Sequence, residues 1–156
     1  MIKILALLLV FLGMLITLRI LMPTFSESVA GGIITTNGKS QLADCPGLPN
    51  CWCSESTRSE HSIDRLELTL PADNAIATLA GIVGTFEGTA IVEQSDRYLH
   101  ATFTTRWMGF VDDVEFLVSD DKESVQLRSA SRLGKSDLGA NAKRVESLRS
   151  ASAGKL

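Results

Sequence analysis

Hydrophobic residues crowd the start of the chain and then spread into regular alternations. From residue 4 to residue 22 only Gly13, Thr17 and Arg19 interrupt an apolar run, close to the roughly 20 residues that carry a helix across a bilayer core. Arg19 lies near one end, where its guanidinium can snorkel to the headgroups. Lys3 and the α-amine place the N-terminus on the cytoplasmic side by the positive-inside rule. The expectation is a single-pass transmembrane anchor over residues 1–22, with the C-terminal body on the exported, periplasmic side of the cytoplasmic membrane. A removable signal peptide is the alternative, since Ser28-Val29-Ala30 before Gly31 has the small-x-small form of a cleavage site. The length of the run and Arg19 within it favour the uncleaved anchor, and no cysteine follows directly to take a lipid.

Between residues 23 and 44 the pattern dissolves. Ser, Thr, Gly and Asn surround one apolar pair, Ile33-Ile34, and the stretch reads as a flexible tether leading to a single domain over 45–156. There a period of two sets in: Leu66, Leu68 and Leu70 alternate with Arg65, Glu67 and Thr69 until Pro71 stops the strand. Asp73 is a candidate cap for a helix whose stripe is Ile76, Leu79, Ala80 and Val83 and which Gly84 ends. Four strands are predicted over 86–94, 97–105, 110–119 and 124–132, joined by turns at Ser95-Asp96, 106–109 and 120–123. Asp137 is a candidate cap for a last helix with Leu138, Val145 and Leu148 on its apolar face.

The order after the anchor is thus β-α-β-β-β-β-α, an α+β fold with an antiparallel sheet and two helices packed on one face. The turns set a register in which Val92 meets Leu99, Leu99 meets Phe116, Phe116 meets Leu127 and Val118 meets Val125 on the helix side. The other face then carries Ile91, His100, Glu115 and Arg128 in a row, with Thr102 and Asp113 beside them and Arg132 one pleat further on. That face is expected to be open to solvent, a ligand or a partner.

Charge narrows the classes of partner. With 156 residues and a formal net charge of -3, and with both signs mixed along the body, the chain lacks the basic stripe of a nucleic-acid binder, so no nucleic-acid partner is expected. On the open face, Glu115 is placed to bridge His100 and Arg128 across neighbouring strands, an arrangement suited to acid/base chemistry at His100 or to holding an anion, and equally to a stabilising ion-pair row. Asp112 points to the helix side while Asp113 and Glu115 share the open side, so this acidic cluster cannot converge on a metal. Asp112 instead needs a buried donor, with Ser131, Asn141 and Arg144 in reach. The segment from Arg128 to Arg132 followed by Gly134, Ser136, Asp137 and Gly139 has the look of an anion-binding turn, yet Asp137 near the helix start would cap the same N–H groups.

Cys45, Cys51 and Cys53 stand in Cys-Pro-Gly-Leu-Pro-Asn-Cys-Trp-Cys. In an oxidising compartment a Cys45–Cys51 disulfide would close a short, proline-stiffened loop and leave one thiol over, free, bridged to another molecule or able to exchange with Cys51. Adding His61 gives a formal zinc set, but the one-residue gap between Cys51 and Cys53 is not the usual zinc spacing, and no metal is expected. No Gly-x-Ser-x-Gly elbow, His-Glu-x-x-His pair or dinucleotide glycine fingerprint occurs, and no cofactor is called for.

Five blocks taken in order, Cys45-Pro-Gly-Leu-Pro-Asn-Cys51, Tyr98-Leu-His-Ala-Thr-Phe103, Phe110-Val-Asp-Asp-Val-Glu-Phe116, Arg128-Ser-Ala-Ser-Arg132 and Ser136-Asp-Leu-Gly-Ala-Asn141, ending in Arg144-Val-Glu146, resemble the domain of unknown function 1499 family. The resemblance brings no established activity. It implies that Cys45 and Cys51 belong to the family pattern while Cys53 departs from it, and that His100, Asp113, Glu115, Arg128 and Arg132 form a shared set. The expectation is a membrane-anchored exported module that binds a protein partner or a small anionic ligand on its polar sheet face. The alternative is a cofactor-free enzyme with His100 as general acid/base and Glu115 orienting it.

Overall fold

The computed structural model describes residues 2–156. Helix α1 (Ile2–Phe25) includes an apolar stretch, Ile2–Pro23, long enough to cross a membrane, about 33 Å at 1.5 Å per residue. A signal sequence near the N-terminus can also form such a helix, so the helix alone does not decide between the two readings.

The domain is a two-layer α+β structure. Strands β3 (Cys51–Cys53), β5 (Thr89–Gln94), β6 (Tyr98–Thr104), β7 (Val111–Val118) and β8 (Ser124–Ser131) form a sheet in the order β3-β8-β7-β6-β5, and β4 (Leu66–Glu67) joins it along the edge of β8. Every named pair is antiparallel. Helices α2 (Ala75–Val83) and α3 (Ala140–Ser152) cover one face, where Ile76, Leu79 and Val83 of α2 and Val145 and Leu148 of α3 meet Leu99, Phe116, Val118, Val125 and Leu127 of the sheet. The predicted pairs Leu99–Phe116, Phe116–Leu127 and Val118–Val125 hold, because burial on this face penalises any one-residue slip. Asp137 accepts the N–H groups of Gly139 at 3.0 Å and Asn141 at 2.7 Å at the start of α3. Leu138, expected on the apolar face of this helix, instead precedes it and is exposed, because the left-handed turn at Leu138 and Gly139 delays the helix to Ala140.

The stretch expected to be an irregular tether is built into the domain. Residues 33–42 form a hairpin of β1 (Ile33–Thr36) and β2 (Lys39–Leu42). Its turn is Asn37-Gly38, with φ of 52° and 76°, the left-handed pair that an Asn-Gly turn supplies at little cost. Leu42 is fully buried.

Smaller corrections have local causes. Ser95 N–H bonds to Tyr98 C=O at 2.8 Å, so the loop is Asp96-Arg97 and not Ser95-Asp96. Gln94 therefore pairs with Leu99 and Glu93 with His100, and a bulge between Ile91 and Glu93 leaves Val92 unpaired and Ile91 opposite Ala101. The predicted strand 66–70 shrinks to two residues because Thr69 N–H turns to the carbonyl of Leu156. Asp73 does not cap α2; a 3₁₀ turn, Ala72–Asn74, leads into the helix. Strand β3 was hidden by the cysteines, which read as a loop motif while also alternating buried, half-buried, buried.

Candidate functional site

Alternation along β6, β7 and β8 sends Tyr98 and His100, Asp113 and Glu115, and Gln126 and Arg128 to the face away from the helices, and Arg132 follows just beyond β8. The face is not open. Asp113 and Glu115 are 0 % exposed, Arg128 3 % and His100 6 %, because residues 26–32 and the hairpin that follows lie over it.

The bonds that hold this cover are of one kind. Asp113 Oδ2 accepts the N–H of Val29 at 2.8 Å, and Glu115 accepts those of Gly31 at 3.2 Å and Gly32 at 2.8 Å. Arg128 Nη1 donates to the carbonyl of Val29 at 3.0 Å, and Arg132 Nη1 to that of Ser26 at 3.1 Å. Gln126 extends the pattern, accepting from Leu42 N–H at 2.8 Å and donating to Ser40 C=O at 3.1 Å. Carboxylates take N–H groups and guanidinium groups take carbonyls, so the polar contacts of the face are to main chain, while the side chains of Leu42 and Val29 pack beside them against Tyr98, Leu117 and Ala130.

Within the face the charges also satisfy one another. Glu115 Oε2 receives Arg128 Nη1 at 2.9 Å and Oε1 receives the Tyr98 hydroxyl at 2.8 Å. Arg132 grips Asp113 through two nitrogens, at 2.8 and 3.0 Å, the bidentate geometry that suits guanidinium and carboxylate. His100 Nε2 lies 2.7 Å from Asp113 Oδ1 and must donate, since an ionised carboxylate has nothing to give. Burial resists ionisation of Asp113, but the hydrogen bonds from His100, Arg132 and Val29 override it and hold the carboxyl well below the usual range. Burial, followed by the neighbouring Glu115 charge, pushes the Tyr98 hydroxyl far above its ordinary value.

The structure thus brings His100, Asp113, Glu115, Arg128 and Arg132 together, but with different partners from those expected. His100 bonds Asp113 rather than Glu115, whose two oxygens already receive four donors. Tyr98 and Gln126 complete the face and were overlooked; their two-residue spacing from His100 and Arg128 was the available signal.

A second buried network lies on the helix side. Arg144 Nη2 meets Asp112 Oδ2 at 2.5 Å and its guanidinium stacks 4.9 Å from the Phe103 ring centre. Asn141, 0 % exposed, links Ser129, Ser131 and the carbonyl of Asn50. Ser131 stands opposite Asp112 but bonds Asn141, leaving Asp112 to Arg144.

Cys45 and Cys51 form the disulfide. Cys53 is free and buried, and burial pushes its thiol up to about 11. Among the described residues no group of three His, Cys, Asp or Glu is arranged to hold a metal ion.

Comparison with known proteins agrees with the five sequence blocks. The family described as protein of unknown function (DUF1499) matches residues 41–151, a span that contains every side chain of the buried ionic face and leaves residues 26–32 outside it. Neither the curated proteins nor the solved structures yield a match. The match covers well over half of the chain, which belongs to the DUF1499 family of proteins of unknown function.

Proposed function

We propose that the protein is an exported domain held at the cytoplasmic membrane by an uncleaved α1, and that its ionic sheet face is a seat for polypeptide main chain, occupied here by the chain's own juxtamembrane segment. The observation that carries this reading is the set of main-chain bonds to residues 26–32. A cut after Ala30 would take Val29 N–H from Asp113, Val29 C=O from Arg128 and Ser26 C=O from Arg132. Hydrogen bonds to charged groups contribute roughly 1.5–3 kcal/mol each, so the buried face favours a chain that keeps these residues. The Cys45–Cys51 disulfide suits an oxidising, exported location, and Lys3 suits an N-terminus on the inside.

The seat favours a peptide over a small anion. Its present occupant offers neutral main chain, with Gly31 and Gly32 adding no side chain, and an anion entering the same place would meet both Asp113 and Glu115. Acid/base catalysis at His100 loses its intended orienter, because Glu115 is saturated, and His100 itself is buried. The role supported best is therefore to clasp the juxtamembrane segment and hold the domain at the membrane surface.

Intact mass measurement of the protein extracted from membranes tests this. The expected species carries residues 1–156, resists alkaline carbonate extraction, and in spheroplasts loses its body to protease added outside. A species beginning at Gly31, or release by carbonate, would overturn the anchor.

A further inference from the structure

We infer that the turns over 105–110 and 133–138 form a membrane-contacting surface, with Trp107, Phe110 and Leu138 lodged at the boundary between lipid headgroups and acyl chains. The inference rests on the anchor reading above and adds to it a second point of contact.

Exposure is the first observation. Leu138 is 93 % exposed, Trp107 74 %, and Phe110 and Leu133 38 % each, a group of large apolar side chains that a water-facing surface rarely gathers. Phe110, Leu133 and Leu138 line one cavity of about 220 Å³ between the two turns, and Trp107 stands three residues before Phe110 in the first of them. Leu138 also holds a positive φ of 53°, an unusual backbone state for a leucine that presents its side chain outward.

Position relative to α1 names the occupant. Gly109, at the tip of the first turn, packs against the backbone of Arg19, so closely that a Cβ there would lie 2.7 Å from the Arg19 carbonyl oxygen. On α1, Leu15, Leu18, Arg19, Met22 and Pro23 are half-buried while the residues between them are exposed, and the spacing of three and four puts them on one helix face toward the domain. The apolar stretch ends at Pro23. Arg19 precedes that end by four residues, about 6 Å of helix rise, so the turn beside it sits roughly 6 Å inside the level where α1 leaves the apolar layer. Amphipathic elements that lie in the interface bury their apolar side by about 5–10 Å, the same depth. Tryptophan favours this layer. Arg106, whose guanidinium lies 5.6 Å from the Trp107 ring centre and 3.6 Å from Glu87, and the exposed Lys135 bring positive charge to the same side, where anionic headgroups would lie.

The test uses the full chain carrying Trp52→Phe, which leaves Trp107 as the sole indole. Trp52 Nε1 has no acceptor among the described residues, so phenylalanine strands no partner. The chain is reconstituted into vesicles of phosphatidylethanolamine and phosphatidylglycerol, with and without brominated acyl chains. Trp107 emission is expected to fall roughly twofold or more with bromolipid, as for an indole in the interfacial layer, and to resist acrylamide. The Trp107→Phe chain, reporting Trp52, should show no bromolipid quenching. Trp107 open to acrylamide and untouched by bromolipid would overturn the inference while α1 stays inserted. Protection from both quenchers would also overturn it, in favour of a second copy or another protein on this surface. Failure of the chain to float with the vesicles would overturn the anchor reading itself, and is seen before any quenching is measured.

Discussion

Glu115→Gln removes one negative charge from the centre of the buried face without changing its shape. Glu115 is 0 % exposed and its two oxygens receive four donors: Arg128 Nη1 and Gly31 N–H on one, Tyr98 Oη and Gly32 N–H on the other. The glutamine amide keeps one oxygen. Turned to keep Arg128, it points its NH₂ at Tyr98, whose hydroxyl can rotate to accept, and at Gly32 N–H, which cannot. Arg128, 3 % exposed, then has no anionic partner in contact. Breaking a buried ion pair costs about 3–5 kcal/mol, and the retained neutral hydrogen bond points to the lower end, about 3 kcal/mol. For a domain of this size that corresponds to a fall in Tm of roughly 10 °C. Urea unfolding of the full chain in micelles, followed by near-UV circular dichroism, measures it. Glu87→Gln, whose carboxylate is exposed and only 3.6 Å from Arg106, should leave the midpoint unchanged. A Glu115→Gln loss below about 1 kcal/mol, the range of exposed pairs, would mean that water already solvates Glu115 and that residues 26–32 do not cover it.

Asp112→Asn should cost about 2–3 kcal/mol in the same assay, since it removes the anion beside Arg144 at 2.5 Å while leaving an acceptor in place; an unchanged midpoint would refute the helix-side network. Acid should unfold the domain in part through Asp113. Its folded pKa lies below the unfolded value of about 3.9, so its stabilisation is fully present above that value and is lost as pH falls from about 5 toward the folded pKa. The urea midpoint is expected to drop across that window with a slope that Asp113→Asn flattens, and an identical slope in the variant would contradict the assignment. Cys53, with a thiol pushed up to about 11 and buried, should resist iodoacetamide at pH 8 in the native chain, take one label in urea and leave the other two sites open only after reduction. Rapid native labelling would refute the buried, protonated thiol.

The sheet was legible because its two faces obey different rules. Burial against α2 and α3 forces the apolar set Leu99, Phe116 and Leu127 into one register, and that register carries the polar set with it, so His100, Glu115 and Arg128 were placed across from one another from alternation alone. What covers them was not legible in the same way. Residues 26–32 contribute backbone groups, and hydrophobic periodicity is blind to a segment bound through N–H and C=O. The Asn37-Gly38 hairpin signal was present but lacked the long apolar flanks that make such a turn persuasive. The bulge at Val92 depended on the loop slipping by one residue to Asp96-Arg97, a choice set by Ser95, whose Oγ and N–H both bond Tyr98. The exchange of partners between Asp113 and Glu115 follows from donors that come from this covering segment, and no inspection of the strands alone supplies them.

Amide hydrogen exchange at Val29, Gly31 and Gly32 in the full chain addresses the clasp most directly. These three N–H groups end on Asp113 and Glu115, so they are expected to exchange as slowly as the amides of β7 and to speed up in Glu115→Gln, while Asn37 and Gly38 at the hairpin tip exchange freely. Exchange of Val29, Gly31 and Gly32 at the rate of an unstructured peptide, with β7 still protected, would contradict the account: the ionic face would then be open and residues 26–32 a tether.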